Sequence, residues 1–426
     1  MFAQIITIGN ELLIGDTINT NAAWMGRILT ENGIKCEKVI TIGDESAGII
    51  DTLSQSLKEA DITIMTGGLG PTHDDITKKC LLDHFKVNLI RHEQTLEYLQ
   101  NIFKERNIPF LKSNFMQADI PENCEVMPNM AGTAPGMWFP EHKLAVLPGV
   151  PSEMKYLMKN EVIPRIKEIF PQVSGSYTRF FQLVGIGEST LNDISIDEAS
   201  AYLNDKVSLA FLPHISGITL RINSLADTQK QAEKQVMDLE DYIRQKAGEF
   251  IYSDEKNVEL NQVVGKLLTD KKLTLATAES CTGGFVASYI TDVPGSGSYF
   301  KGGMTTYSND LKIKLLNVPE STLNEFGAVS KPVALRMAKS TAKYLGSDIG
   351  VSTTGIAGPG GGTPDKPVGT VWIGYWSKKN HFAVKLHLHR SRMQNKERTT
   401  VITLDLIRRQ LNGIKNLPYG LQAEYP

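Results

Sequence analysis

The chain has 426 residues, beyond what one hydrophobic core ordinarily organises at roughly 100–200 residues per domain, so several domains are expected. Hydrophobic residues make up 41%, charged residues 22%, and the formal net charge is -2, which removes any general electrostatic drive toward nucleic acid or anionic membrane. The four cysteines (Cys36, Cys80, Cys124, Cys281) form no CxxC pair, which argues against a disulfide scaffold or structural zinc and fits a reducing cytosol. The N-terminus runs straight into a strand-like stretch without a signal-peptide pattern, and no apolar run reaches the roughly 20 residues that span a bilayer. A soluble cytoplasmic protein is expected, with neither a membrane nor a nucleic-acid partner.

Segment 1–170 alternates strand-like runs (4–8, 36–42, 61–66, 143–147) with amphipathic stretches (21–31, 46–59), the pattern of an α/β fold with a largely parallel sheet. Its Gly and Pro clusters fall just after strands, where ligands bind in open α/β sheets. Gly67-Gly68-Leu69-Gly70-Pro71-Thr72 presents exposed amides at a strand-to-helix turn, which suit phosphate. The carboxylates that follow, Asp74 and Asp75, together with Glu11 and Asp44 on other strand-end loops, suit a divalent cation bridging that phosphate. A purely structural alternative is that Asp74 and Asp75 only favour a helix dipole.

Segment 171–253 reads as a small α+β unit: strand 178–184, short helix 188–196, strand pair 207–212 and 217–223, polar helix 227–246 and a final strand at 250–252. Gly185-Ile186-Gly187-Glu188 has the spacing of a nucleic-acid-binding GxxG loop, but Glu188, Asp193, Asp197 and Glu198 make the surroundings acidic. Backbone recognition needs cations, so a spacer or dimerisation module is expected, and with it a homodimer.

Segment 254–426 opens with a helix at 258–268 and a strand at 273–277 that delivers Ala278-Glu279-Ser280. Further strands are expected at 351–353, 369–376 and 382–388, and helices at 284–290, 331–345 and 397–410. Ser280 ends a strand and precedes Thr282-Gly283-Gly284, whose amides and following helix N-terminus suit an oxyanion. A serine nucleophile needs a base. The histidines here (His381, His387, His389) cluster in or beside one late strand, whereas Tyr307 and Lys312 offer a lysine base with a tyrosine assistant. Lysine can act so only when desolvation or a nearby cation lowers its pKa; otherwise these are a capping serine, a core tyrosine and a solvated lysine. The glycine run Gly355, Ala357, Gly358, Gly360, Gly361 suggests amides facing an anion, with Arg392 and Arg398 as its cationic side. No Gly-Lys-Ser/Thr follows, so this is not a Walker A motif.

Four ordered motifs, 278–284, Tyr307-Ser308-Asn309 with Lys312, 327–330 and 354–361, resemble the nicotinamide mononucleotide deamidase family. That resemblance implies metal-free hydrolysis of nicotinamide mononucleotide to nicotinic acid mononucleotide and ammonia, with Ser280 as nucleophile, Lys312 as base and Tyr307 assisting. Cys281 is a chemical rival as nucleophile. Segment 392–398 lacks the Gly-Asp-Arg common in the family, a departure that leaves Arg392, Asn395 and Arg398 as the candidates for its places. The first segment, with 131–136 and 147–154, resembles the molybdopterin-binding fold at the N-terminus of CinA-like competence/damage-inducible proteins, and the middle segment sits where those carry a KH-type domain. The whole chain thus resembles that multidomain α/β family. By that resemblance the first domain is a metal-dependent ADP-ribose pyrophosphatase giving AMP and ribose 5-phosphate, with Asp44 and Asp75 as catalytic or metal-site carboxylates and Glu11 and Asp74 secondary. The alternatives are a first domain that only binds a pterin or nucleotide, or a non-enzymatic partner of DNA-uptake machinery.

Overall fold

A computed structural model describes residues 1–70, 75–171, 175–195 and 199–426. The chain divides into two units, Met1–Thr178 with Asn223–Gln235, and Arg179–Ile222 with Val236–Pro426.

In the first unit a six-stranded sheet runs in the order Lys35–Ile42, Phe2–Ile8, Ile62–Thr66, Leu144–Leu147, Gly136–Phe139, Glu125–Met127. The first four strands are parallel and the last two antiparallel. Strand Phe2–Ile8 is buried on both faces: Ile5 joins one core cluster with Met25, Leu29 and Met154, and Ile6 joins another with Ile49, Leu53 and Leu81. Side chains one residue apart point to opposite faces of a strand, so adjacent apolar residues such as Ile5 and Ile6 are what a doubly covered parallel sheet requires. The parallel register pairs Ile8 with Ile42 and Thr66 with Leu147. The loops starting at Gly9, Gly43, Gly67 and Pro148 therefore emerge along one edge.

A four-stranded sheet follows, ordered Val207–His214, Gly217–Leu225, Ser176–Leu183, Ile251–Ser253. Helix Gln229–Ala247 buries Ala232, Val236, Leu239, Ile243 and Ala247, the three- and four-residue spacing of one helical face, which explains how so polar a segment folds.

The second unit carries a five-stranded sheet ordered Phe300–Thr305, Leu275–Glu279, Ile349–Gly355, Thr370–Ser377, His381–His387, parallel for the first three strands and antiparallel thereafter. Strand Phe300–Thr305 is not legible in the sequence, because its Lys-Gly-Gly-Met centre has weak strand propensity and it lies at the sheet edge. The short helices Asn309–Leu316 and Glu320–Phe326 are also unanticipated. Helix Arg392–Asn412 starts before the expected 397, with Ser391 and Gln394 forming a reciprocal cap. Register pairs Glu279 with both Thr305 and Thr353, so Ser280, Thr306 and Thr354 lie at one level, where the first two strands end. No helix among the described residues is long and apolar enough to cross a membrane.

Candidate active sites

The second unit places Ser280, Cys281, Tyr307, Asn309, Lys312, Arg392 and the loop from Gly355 to Gly361 around a cavity of about 290 Å³. Lys312, on helix Asn309–Leu316, is 1% exposed. Its Nζ lies 3.0 Å from Ser280 Oγ, 2.8 Å from the Thr306 carbonyl oxygen and 3.0 Å from that of Tyr307. An ammonium has three protons for these three acceptors. The neutral amine keeps two donors for the two carbonyls and turns its lone pair to the Ser280 hydroxyl, which then donates to it. Burial pushes the Lys312 pKa below the ordinary lysine range. The arrangement places a desolvated amine within hydrogen-bond reach of a serine hydroxyl.

Burial pushes the Cys281 thiol up to about 12, so Cys281 stays protonated and inert beside Ser280. Tyr307 is 60% exposed, and its hydroxyl accepts a 3.2 Å hydrogen bond from Arg392 Nη2 instead of reaching the Ser280–Lys312 pair. The assisting role expected of Tyr307 is therefore not met by its ring hydroxyl in this geometry; Tyr307 touches Lys312 through its backbone carbonyl. Arg392 Nη1 also donates to the Gly358 carbonyl at 2.7 Å, fixing the guanidinium between the glycine loop and Tyr307. The amides of Ala357, Gly358, Gly360 and Gly361 donate to no acceptor among the described residues. Asn395, buried, holds this loop through the Ala357 carbonyl.

Two expectations need correction. The amide of Gly284 does not face the cavity: it donates to the buried Glu279 carboxylate, as do those of Val286 and Ala287, and Gly283 donates to the Ser280 carbonyl. Thr282 is fully buried, bonded to Glu279 and Thr353. Thr282, Gly283 and Gly284 thus shape the turn that carries Ser280, because the helix N-terminus they open is already neutralised by Glu279. Arg398 lies outside this cavity; it donates to the Ile215 carbonyl at 3.0 Å and stacks on Tyr419, so packing within the same unit claims it. Sequence reading missed Glu279, although an acid placed just before a Ser-x-x-Gly-Gly helix entry is a capping signal of unusual spacing. Glu279→Ala should lower stability by about 1–3 kcal/mol in urea unfolding, since it strands buried donors; an unchanged midpoint would contradict the capping role.

In the first unit, Glu11, Asp44, Gly67, Gly68, Gly70 and Asp75 line a cavity of about 420 Å³ with Gln117, Thr133, Ala134 and Glu153. Gly67 has φ +109° and a side chain there would meet the Ile8 carbonyl at 2.3 Å, so only glycine lets this loop cross the neighbouring strand end. Asp44 Oδ2 accepts from the Asn10 amide at 2.9 Å, tying two strand-end loops together. The Asp75 carboxylate lies over Gly70 and that of Glu11 over Gly9. Thr72 and Asp74 lie outside the described residues. Among the described residues no three His, Cys, Asp or Glu side chains approach closely enough to hold a metal. Glu11, Asp44 and Asp75 therefore form no closed cage; they fit an ion of the magnesium type, held by one or two carboxylates and completed by substrate phosphate and water.

Fold and sites define a multidomain α/β protein with cavities at the strand ends of each large sheet. Family models match in the same order: a probable molybdopterin binding domain over residues 4–168, the damage-inducible protein CinA KH domain over 178–253, and the CinA C-terminal domain over 257–411. The chain is 41% identical over 421 residues to a putative competence-damage inducible protein of Clostridium novyi, covering 97% of this chain and 100% of that one. It is also 41% identical over 425 residues to a CinA-like protein of Chloroherpeton thalassium, again covering 97% and 100%. A solved structure of the competence/damage inducible protein CihA from Agrobacterium tumefaciens is 35% identical, covering 36% of this chain and 93% of that one, with a TM-score of 0.35. The chain belongs to the CinA-like competence/damage-inducible family.

Proposed function

We propose that this protein is a bifunctional hydrolase of pyridine-nucleotide breakdown products. The second unit deamidates nicotinamide mononucleotide to nicotinic acid mononucleotide and ammonia. The observation that carries this reading is the buried Lys312 amine, aimed at Ser280 by two backbone carbonyls. Ser280 Oγ attacks the carboxamide carbon while its proton passes to Lys312 Nζ. Lys312 returns that proton to the departing nitrogen, which leaves as ammonia. Water, giving its proton to Lys312, then attacks the acyl-serine carbonyl carbon; the ester C–O bond breaks, Ser280 Oγ takes the proton back from Lys312, and the acid is freed. Arg392 and the free amides of the glycine loop hold the substrate's phosphate. Ammonia release from nicotinamide mononucleotide, lost in Ser280→Ala and retained in Cys281→Ala, tests the assignment; the reverse pattern would make Cys281 the nucleophile. Arg392→Ala should raise KM about tenfold or more with a smaller change in kcat, as expected for loss of a charge-assisted phosphate contact.

The first unit cleaves the diphosphate of ADP-ribose to AMP and ribose 5-phosphate. Supporting this are the glycine loop 67–70 and the carboxylates of Asp44, Asp75 and Glu11 on one cavity. A divalent cation, when bound, supplies charge neutralisation at the diphosphate. Asp44 and Asp75 would hold it, and the glycine loop would orient the phosphates. Metal-dependent AMP formation that collapses in Asp75→Ala is expected, while chelator leaves ammonia release intact. The scattered carboxylates favour one second reading, that this cavity binds a nucleotide without turning it over. Tight ADP-ribose binding with no AMP formed in magnesium or manganese would select it.

A further inference from the structure

Two buried acceptors in the first unit's cavity have no donor among the described residues. Glu153, on helix Pro151–Leu157, is 7% exposed; its Oε1 accepts from the Thr133 amide at 3.3 Å, and although the Asn129 side chain and the Ala134 amide stand near the carboxylate, neither reaches Oε2 in hydrogen-bond geometry, which leaves that atom buried without a partner. Gln117, 8% exposed, likewise leaves Oε1 buried and unpaired. Both side chains line the same cavity as the glycine loop 67–70. A desolvated acceptor without a donor is costly, and native folds keep such groups where something outside the chain completes them. The backbone is built around this acid: a side chain at Gly132 would meet Glu153 Oε1 at 1.7 Å.

The two unsatisfied atoms are both acceptors, so the missing partner is a donor. A phosphate oxygen cannot serve beside the Glu153 carboxylate, whereas the hydroxyls of a sugar can. We propose that Glu153 and Gln117 form a subsite for the vicinal diol of a ribose, selecting ribo- over deoxyribo-phosphates. The glycine loop then receives the phosphate, so the cavity has a hydroxyl wall and a phosphate wall. This rests on the reading of the cavity as a ribose-phosphate site, but not on its catalysing anything.

The test is calorimetric titration of the full chain with ribose 5-phosphate and AMP, each against its 2-deoxy counterpart; none has a diphosphate to hydrolyse. The wild type should prefer the ribo form of at least one pair by about tenfold, the scale of one lost hydrogen bond to a charged group. That preference should vanish in Glu153→Gln, which puts an amide donor where an acceptor is needed, or in Gln117→Leu. Gln117→Leu should not lower the melting temperature, whereas a purely structural glutamine would cost stability when removed. Equal affinity for ribo and deoxy ligands, as if water alone met these oxygens, would overturn the subsite, and so would failure of both ribo ligands to bind. Diol preference without AMP formation from ADP-ribose would instead sink the pyrophosphatase reading and leave the subsite standing.

Discussion

Lys312→Ala is expected to reduce ammonia release from nicotinamide mononucleotide by at least about 10³-fold, with Ser280→Ala equally severe and the double variant scarcely worse. Residues that act as one nucleophilic unit are strongly non-additive, because either loss already abolishes the activated oxygen. The cause is local: Lys312 Nζ is the group within reach of Ser280 Oγ at 3.0 Å, and Cys281 is locked as a thiol. In the wild type kcat/KM should rise with pH through the lowered Lys312 pKa, since the neutral amine is the active form. Lys312→Arg should be as inactive as the alanine variant, because guanidinium does not lose its proton in a protein. Retention of more than a tenth of the rate in either variant would remove Lys312 from the mechanism.

The sign of the stability linkage follows from the same burial. Folded Lys312 binds its proton more weakly than the unfolded chain does, so unfolding takes up protons between the lowered pKa and the ordinary lysine value. Its contribution to stability therefore increases as pH rises through that window and is least favourable below it, where the folded protein must bury the cation. Comparing urea midpoints of wild type and Lys312→Met across that window reads this slope directly.

Asp405→Ala should cost about 3–5 kcal/mol of stability, the largest folding effect expected from a single side chain here. Asp405 and Arg409 are fully buried and Arg408 nearly so, all on helix Arg392–Asn412. Asp405 Oδ1 accepts from Arg408 Nε at 2.7 Å and Oδ2 from Arg409 Nε at 2.8 Å. Arg408 also donates to the Glu249 carbonyl, and Arg409 pairs with the Glu249 carboxylate and donates to the Asn416 carbonyl. Removing the aspartate strands two guanidiniums out of water. The cost should shrink when Arg409 is removed with it, because much of the loss is the charge left behind. A loss below 1 kcal/mol for Asp405→Ala would mean that the arginines find water or other partners.

This cluster also accounts for Gly185. Its φ is +82°, and a side chain there would come within 2.6 Å of Asp405 Oδ2 and 2.7 Å of Arg409 Nη2. The glycine that opens the GxxG-like stretch is thus required by packing against a buried ion pair, whatever the loop's surface contacts.

Much of the architecture was legible from periodicity. The apolar runs at 4–8 and 61–66, the helix at 46–59 and the helix at 331–345 all fold as their patterns indicate, because local period and burial agree there. The Gly-rich strand Phe300–Thr305 was hidden because its place in the sheet comes from pairing with Leu275–Glu279, which local propensity does not encode. Glu153 and Gln117 were equally invisible as site residues: an unpaired oxygen is a property of surroundings assembled from distant segments.

At the sites, the sequence by itself determined the cast: a strand-end serine before Gly-Gly, a lysine following Tyr-Ser-Asn, two glycine loops and carboxylates at several strand ends. Residue type and strand-end position set what chemistry each loop can perform. Only the tertiary structure decided the roles. Parallel register brought Ser280, Thr306 and Thr354 to one level; burial lowered the Lys312 pKa; Glu279 took the helix amides that would otherwise have faced a ligand. Hydrogen-bond capacity and desolvation belong to neighbours far apart in the chain, and for that reason they emerge only on folding.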